Sequence, residues 1–482
     1  MRTAFRKSLL ITAVAGVLAA PVAQATNGYF AHGYSTKEKG LAGAGTALSQ
    51  DAMAAATNPA GMAFVGERMD IGIALFSPSP RGYTVTGAPP APAGTPASAF
   101  CSGGVFPPTG GETCQFPFSV NPGSVESEND FFLIPYFGIN WNLDAQSSVG
   151  LSTYGNGGLD TEYKGGSATT LNPGTGVIDD TLPGTFGSGT AGVTLAQLFV
   201  NASYARKIDA DSAWGASLIF AFQRFNAQGL TGFGGFSSDP ANMGVNQHDY
   251  SNGFGFKLGY QGEIVENLSF GISYQSEISM SEFDIYSGLF AEGGDFDIPS
   301  TFSIGLAYDY GDAGTVVFDI QRINYSDVAS VSNSISNVFP DSNNVPQCVD
   351  PVNAASFGIS PGGPGCFGGA RGAGFGWEDI NIFKLGYQVK IDDNTHRFGY
   401  SHSDQPVPEA ETLFNILAPA VMQDHITYGL TMPVGTDQEF NLSAMYALKE
   451  TVKGANPFDQ GATQIEIEMT QWELQAGWAW KY

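Results

Sequence analysis

The sequence predicts an all-β membrane protein, an antiparallel transmembrane β-barrel of about 14 strands with a small N-terminal helical hatch plugging its lumen. Three observations lead to this prediction. Apolar and polar residues alternate in many short stretches, short polar turns separate longer loops, and the only long apolar run is too short for a membrane helix. The composition agrees, since 12% of residues are aromatic and only 14% are charged, as in chains of short strands with aromatic girdles.

The C-terminal stretch shows the alternation most clearly. One face is apolar and aromatic and the other is polar or small; the apolar residues are Trp472, Leu474, Ala476, Trp478, Trp480 and Tyr482. Because successive side chains of a strand point to opposite faces, this pattern predicts a lipid-facing stripe backed by a lumen-facing one. Nearer the start of the strand, Ile465, Ile467 and Met469 take the opposite phase, which predicts a bulge or a partly apolar upper lumen.

Turn chemistry predicts the topology. Short polar connections occur near Leu143 to Gln146, Ile208 to Ser212, Val265 to Asn267, Gly311 to Thr315, Lys390 to Asn394 and Pro433 to Gln438. About six such turns and about seven longer Gly/Pro/Asn-rich connections join about fourteen strands. In bacterial barrels the short turns face the periplasm and the long loops face outward.

The N-terminus carries the pattern of a cleavable signal peptide over residues 1–25. Arg2, Arg6 and Lys7 precede an apolar run of about a dozen residues, which is shorter than the roughly 20 that a membrane helix needs. The small-residue pattern Ala23-Gln24-Ala25 follows and predicts cleavage after Ala25. We therefore expect an exported chain.

Residues 26–66 do not alternate and are rich in small, helix-compatible residues, among them Ala52, Ala54, Ala55 and Ala56. Such a segment cannot be a barrel strand. A barrel of about fourteen strands needs filling or leaves a channel, so we predict that residues 26–66 form a hatch inside the lumen. Residues 67–482 are predicted to form the barrel and its long outer loops.

The formal charge of −26 makes nucleic acid an unsuitable partner. The four cysteines fall as Cys101 with Cys114 and Cys348 with Cys366, which favours two local disulfides in outer loops, although four cysteines allow three connectivities. Their spacing lacks the CxxC pattern of zinc sites, and no other residues form a metal pattern. We therefore predict neither a metal nor a cofactor.

The motif Gly40-Leu41-Ala42-Gly43-Ala44-Gly45, then Asp51-Ala52 and Asn58-Pro59-Ala60-Gly61-Met62, resembles the hatch of FadL-type outer-membrane transporters. Phe383 to Tyr387, Arg397 to Tyr400, Ala418 to Val421 and His425 to Gly429 resemble the family's late strands and loop. The resemblance implies passive uptake of long-chain fatty acids or other hydrophobic compounds. It further implies a groove among the outer loops, a site inside the barrel, a hatch shift and lateral release through the wall.

Two sets of residues are candidates for ligand binding. Apolar residues in the outer loops predict either a binding groove or a self-packed cap, or both; they are Leu413, Phe414, Ile416, Leu417, Phe283, Leu289 and Phe290. Lys257, Lys384 and Arg397 point inward by parity and are candidates for a carboxylate head group, or else partners of lumen acids or the hatch. In the hatch, Asn58 and Pro59 with Ala60 are expected to fix a turn.

Two other classes of function are possible for a chain of this kind. Ser401-His402-Ser403-Asp404 contains the residue types of a hydrolase, but neighbouring strand residues point to opposite faces, so we predict no enzyme. A general pore, or a surface receptor or adhesin using the long loops, stays as the alternative. The predicted partners are hydrophobic small molecules and outer-membrane lipid, for a monomer in the bacterial outer membrane.

Overall fold

The computed structural model describes residues 26–101, 118–172, 175–342, 345, 347–349 and 362–482. The predicted signal peptide and Cys114 lie outside the described residues. The strands are β1 (Arg68–Ser77), β2 (Arg81–Gly87), β3 (Ser119–Val120), β4 (Gly123–Glu126), β5 (Phe132–Asn142), β6 (Ser147–Asp160), β7 (Ser167–Asn172), β8 (Val177–Pro183), β9 (Gly192–Lys207), β10 (Ser212–Gln228), β11 (Asp249–Val265), β12 (Leu268–Gln275), β13 (Ser279–Met280), β14 (Thr301–Asp309), β15 (Thr315–Ile323), β16 (Ile380–Ile391), β17 (Asn394–Ser403), β18 (Asp424–Val434), β19 (Gln438–Ala455) and β20 (Thr463–Lys481).

The helices of the described residues are short. The α-helices are α1 (Thr36–Lys39), α2 (Ala54–Thr57), α3 (Ala291–Gly294), α4 (Ala329–Ser332) and α5 (Thr412–Asn415). The 3-10 helices are Pro59–Ala63, Ala97–Phe100, Thr231–Phe236, Pro240–Asn242, Asp284–Tyr286, Gly311–Ala313, Tyr325–Asp327, Ile335–Val338, Glu409–Glu411 and Pro457–Asp459. In the described part of the chain, none of these helices combines the length and the hydropathy that crossing a bilayer requires.

The strands form a closed antiparallel barrel of 14 strands. Each barrel strand pairs with the next barrel strand along the chain, and β1 pairs with β20 from Arg68–Lys481 to Ser77–Trp472 to close the ring. Three barrel strands are interrupted and consist of β1 with β2, β4 with β5, and β12 with β13. Strands β3, β7 and β8 form a separate small sheet within the outer loops.

The turns confirm the predicted topology. Six connections are tight turns at or within a residue or two of the predicted positions, for example between β5 and β6 and between β16 and β17. Among the described residues, the longer connections carry every helix except those before β1 and the one-turn helix Gly311–Ala313. One end of the barrel is therefore bordered by short turns and the other by bulky loops, as in transmembrane barrels of bacterial outer membranes.

The outer face of the barrel is apolar, as the alternation predicts. Leu218 and Phe254 expose 72% and 69% of their area, whereas their strand neighbours Ser217 and Gly253 are buried. Exposing such an apolar band to water would be unfavourable, whereas in a bilayer the same side chains contact the hydrocarbon chains of the lipid. Closure also gives every strand two neighbours, which a bilayer demands because its core offers no other hydrogen-bond partners.

The predicted irregularity of the last strand is confirmed. The pairing of β19 with β20 shifts register between Ala447 and Glu450. On the side of the shift nearer the short turns, Glu473 faces inward. On the side nearer the outer loops, Ile465 and Ile467 face inward instead. The bulge therefore converts a polar lumen wall into an apolar one in the outer half of the barrel.

The structure confirms the disulfide between Cys348 and Cys366. It lies in the loop between β15 and β16, where it ties together two parts of a long connection. The pairing of Cys101 with Cys114 stays a prediction, because Cys114 is outside the described residues.

Candidate functional site

Residues 26–66, here called the N-terminal segment, lie inside the barrel. None of them is exposed, although their helices are only about one turn long. Such short helices are not stable alone, so their conformation depends on the surrounding wall. The contacts between this segment and the strands therefore decide whether the lumen is filled.

Buried ion pairs attach the segment to the last two strands. Lys39 Nζ lies 2.7 and 2.8 Å from the two carboxylate oxygens of Glu473, and Lys37 Nζ lies 2.6 Å from Glu439. Both lysines and Glu473 are almost completely buried. A buried charge is tolerated only with a well-placed partner, so these pairs fix the register of α1 against the wall.

Backbone groups of the segment are also bound by inward-facing side chains of the barrel. The Asp319 carboxylate accepts hydrogen bonds from the backbone N–H groups of Gly45 and Thr46, both at 2.9 Å. The Asn58 amide donates to the carbonyls of Thr46 and Tyr260 at 2.8 and 2.9 Å, and its oxygen accepts from Ala60 at 3.1 Å. The amide of Asn58 thus fixes the local turn and contacts the wall.

Glycines in the strands allow the segment to approach the wall closely. A Cβ atom on Gly271 would lie 2.0 Å from the carbonyl oxygen of Thr46, and one on Gly259 would lie 2.0 Å from Asn58 Oδ1. Any side chain there would displace the segment, since non-bonded heavy atoms do not approach so closely. Glycine at these inward positions is therefore needed for the filled lumen.

The three predicted head-group cations all point inward and are nearly fully buried, as parity predicted. Lys257 donates to the carbonyl of Ala56, and Lys384 donates to the carbonyl of Gly43 at 3.1 Å. Arg397 donates to Thr431 and to Gln50, at 2.7 and 2.8 Å. Each cation is thus engaged with the N-terminal segment in this conformation.

The seven apolar loop residues predicted to line a groove are buried together in a packed cluster over the outer end of the barrel, here called the cap. Phe290 lies 4.7 Å from Phe225 and 4.8 Å from Phe296 between ring centroids. Phe414 lies 5.0 Å from both Phe233 and Phe367. The structure therefore shows a self-packed cap rather than an open groove among these residues.

Aromatic residues connect the cap to the N-terminal segment. The ring of Tyr29 lies 5.7 Å from Trp377 and 6.1 Å from Phe296, both in the outer loops. Tyr325 packs edge-on against Tyr29 and Trp377, and its hydroxyl donates to the backbone carbonyl of Asn27 at 2.5 Å. The beginning of the segment is therefore part of the apolar cluster.

The hydrogen-bonding of the wall is interrupted between β5 and β6. Their pairing ends at Tyr136 and Tyr154, although β5 extends outward to Phe132 and β6 to Asp160. Opposite this gap, β6 is bulged against β9 between Gly155 and Gly157. Bulges bend a strand, so the outer half of β6 leaves the plane of the wall.

The N-terminal segment occupies the inner side of this gap. The N–H of Gly158 donates to the carbonyl of Tyr29 at 2.9 Å, and the N–H of Ala31 donates to the carbonyl of Asn156 at 2.8 Å. Backbone groups of β6 that β5 does not pair are thus satisfied by the segment.

Apolar side chains predominate around the gap, although Arg81 and Asp160 also line the small cavity there. Phe76 of β1, Phe132 of β5 and Leu159 of β6 line the same cavity and are buried. They belong to the same hydrophobic cluster as the cap residues and Tyr29. The cluster therefore extends without interruption from the outer loops to the gap in the wall.

Sequence reasoning did not find the gap or the role of Tyr29. The run Gly155-Asn156-Gly157-Gly158 is the signal that would have indicated a bulge, because glycine in a strand often marks one. Tyr29 and Phe30 precede a segment of small residues and would have stood out as its only adjacent aromatic pair. Trp377 offers no comparable signal.

Comparison with solved structures identifies proteins of the same architecture. The Pseudomonas putida toluene transporter TodX superposes with a TM-score of 0.59 at 15% identity, over 94% of this chain and 99% of that one. A Pseudomonas aeruginosa FadL homologue superposes with a TM-score of 0.59 at 13% identity, over 94% and 99%. The Ralstonia pickettii toluene transporter TbuX superposes with a TM-score of 0.53 at 15% identity, also over 94% and 99%.

No protein-family model and no curated protein sequence matches the chain. At 13 to 15% identity, the superpositions show a shared fold. The chain is thus a transmembrane β-barrel of the kind found in bacterial outer membranes, with the fold of FadL-type transporters. The predicted resemblance is confirmed at the level of the fold.

Proposed function

We propose that this protein is a passive channel through which hydrophobic compounds cross the bacterial outer membrane as a monomer. The observation that carries the proposal is the continuous apolar cluster between the cap and the gap in the wall. A general pore for polar solutes needs a wet, polar passage. The described lumen is instead filled by the N-terminal segment, and the apolar cluster lies above and beside it.

The cap is the proposed entry site. Its aromatic side chains contact one another at the distances of an ordinary protein core, so a hydrophobic molecule can replace one apolar contact with another. A groove among Leu413, Phe414, Ile416 and Leu417 and around Phe283, Leu289 and Phe290 would then open only when the loops separate. The same residues would thus form a packed cap at rest and a groove when a hydrophobic molecule is bound.

Neutral compounds fit the path better than carboxylates. Lys257, Lys384 and Arg397 are bound to the N-terminal segment. A carboxylate would have to displace one of these bonds or be buried without a cation, which costs several kcal/mol by order of magnitude. The names of two similar structures as toluene transporters support this preference. Long-chain fatty acids remain the second class of cargo under this proposal.

Release is proposed to occur sideways through the gap between β5 and β6. In the structure, residues 29–31 block its inner side with two backbone hydrogen bonds. Such bonds contribute about 1 kcal/mol each and can break without unfolding the barrel. A shift of the N-terminal segment would therefore connect the cap with the lipid, whereas a straight passage to the periplasm would require removal of the whole segment.

Uptake by intact cells tests the proposal. Cells with the protein are expected to take up labelled toluene faster than cells without it, with a smaller gain for labelled oleate and none for a small polar sugar. Faster uptake of the sugar alone would contradict the proposal and favour a general pore. Unchanged uptake of all three compounds would also contradict it and favour a surface receptor.

A further inference from the structure

A row of polar side chains crosses three neighbouring strands on the inside of the barrel. Lys384 of β16 lies directly opposite Ser401 of β17, which lies directly opposite His425 of β18. His32 of the N-terminal segment packs on this row, with its ring centroid 5.2 Å from that of His425. The two imidazoles therefore join the segment to the wall.

The histidine pair lies where the apolar path meets the polar segment. At the next inward-facing level toward the outer loops, Ile382 is buried in the apolar cluster, and its partner on β17 is the buried Ser403. Lys384 of the row donates to the carbonyl of Gly43 in the segment, and a Cβ atom added to Gly43 would clash with the His32 carbonyl. The two imidazoles therefore lie between the apolar cluster and the polar groups of the N-terminal segment.

Both histidines have unused hydrogen-bonding capacity. Three ring nitrogens have no hydrogen-bond partner among the described residues, namely both nitrogens of His32 and Nε2 of His425. Both side chains are at least 98% buried. His425 Nδ1 lies 3.4 Å from Ser401 Oγ, which is a long contact. Buried polar atoms without partners are costly, and in native proteins they often face a ligand.

The charges nearby are already compensated, so the pair does not require an anion. Lys39 is paired with Glu473, and Lys384 lies in the electrostatic field of the buried carboxyl groups of Glu38 and Asp319. The pKa of His32 is held well below its usual range, mainly by burial and then by the positive electrostatic fields of His425 and these two lysines. The ring of His32 is therefore neutral at pH 7. A neutral imidazole offers one donor and one acceptor.

From this geometry we propose that His32 and His425 bind the hydroxyl group of a neutral hydrophobic alcohol or phenol, as a polar subsite on the path. A hydroxyl group both donates and accepts, which matches the two imidazoles, whereas a carboxylate only accepts and a hydrocarbon does neither. This inference deepens the proposed function and rests on it for the access route. It names a class of cargo that is distinct from both fatty acids and hydrocarbons.

The test is equilibrium binding to the purified full chain in lipid nanodiscs, with empty nanodiscs to correct for partition into lipid. The probes are 1-decanol, decane and decanoate, which share a chain length. The unaltered protein is expected to bind 1-decanol about tenfold more tightly than decane, the effect of about one additional hydrogen bond. His32→Phe and His425→Phe are each expected to remove that preference and to leave the binding of decane unchanged.

Two further variants make the result decisive. His32→Gln keeps a donor and an acceptor and is expected to retain most of the preference for 1-decanol. His396→Phe removes a histidine on the outside of the barrel that contacts Tyr428, and it is expected to change nothing. Equal losses for all three probes in His32→Phe and His32→Gln, or a decanoate affinity above that of 1-decanol, would overturn the inference.

The assay also separates this inference from the proposed function. Histidine-dependent binding of 1-decanol without any cellular uptake of hydrophobic compounds would leave the subsite standing and contradict transport. Uptake of toluene together with equal affinities for 1-decanol and decane would contradict the subsite alone.

Discussion

Oxidation of a Leu41→Cys/Gly386→Cys variant is expected to reduce toluene uptake to the level of cells without the protein, and reduction is expected to restore it. A Cβ atom on Gly386 would lie 3.0 Å from Leu41 Cβ, within about 1 Å of the separation that disulfides span. The bond would fasten the middle of the N-terminal segment to β16. Because release is proposed to need a shift of that segment, the cross-linked protein should not transport toluene.

The two single-cysteine variants are the controls for the locked protein. They carry the same changes in volume and meet the same oxidant and reductant, including any effect of the reductant on the native Cys348–Cys366 disulfide. Uptake that is equally fast in the oxidised and reduced double variant, with the cross-link verified by mass spectrometry, would show that the segment does not need to move at Leu41.

Glu473→Gln is expected to destabilise the protein by about 3–5 kcal/mol, because it leaves the buried ammonium of Lys39 without its carboxylate. The N-terminal segment should then loosen, and cells should become leaky to small polar solutes. Unfolding by urea in lipid bilayers measures the first effect, and the entry of a polar dye measures the second.

A partly exposed ion pair whose acid also lies on β20 serves as the control for Glu473→Gln. Lys449 and Glu468 lie 2.8 Å apart but expose 55% and 30% of their side chains. Glu468→Gln is expected to cost no more than about 1 kcal/mol, because exposed pairs contribute little. The double variant Lys39→Met/Glu473→Leu should recover much of the lost stability, since apolar replacements remove the unpaired charge. Equal costs for Glu473→Gln and Glu468→Gln would contradict this account of the segment's attachment.

Much of the fold follows from local patterns in the sequence. Period-two alternation determines which face of a strand meets lipid, so the inward direction of Lys257, Lys384 and Arg397 could be predicted. Turn chemistry located the six tight connections, because polar and glycine-rich turns have local causes. The parity change near Met469 similarly indicated the bulge.

The site itself depends on contacts between residues that are far apart in the sequence. Phe414 and Phe283 could be recognised as apolar loop residues, but their packing into one cap depends on how seven loops meet. At the gap between β5 and β6, Tyr29 and Ala31 bond to β6 in place of β5, although they lie more than one hundred residues from either strand in the sequence. The His32–His425 contact joins the N-terminal segment to a late strand, and no local pattern predicts it.

Photolabelling with a neutral hydrophobic probe tests the central claim most directly. A diazirine-bearing alkylbenzene would be added from outside to cells containing the protein, irradiated at short intervals, and the labelled residues identified by mass spectrometry. The proposed path predicts early labelling of cap residues such as Phe414 and Phe290, followed by Phe76, Phe132 and Leu159 at the gap. Labelling confined to the lipid-facing surface, for example at Leu218 and Phe254, would contradict a path through the protein.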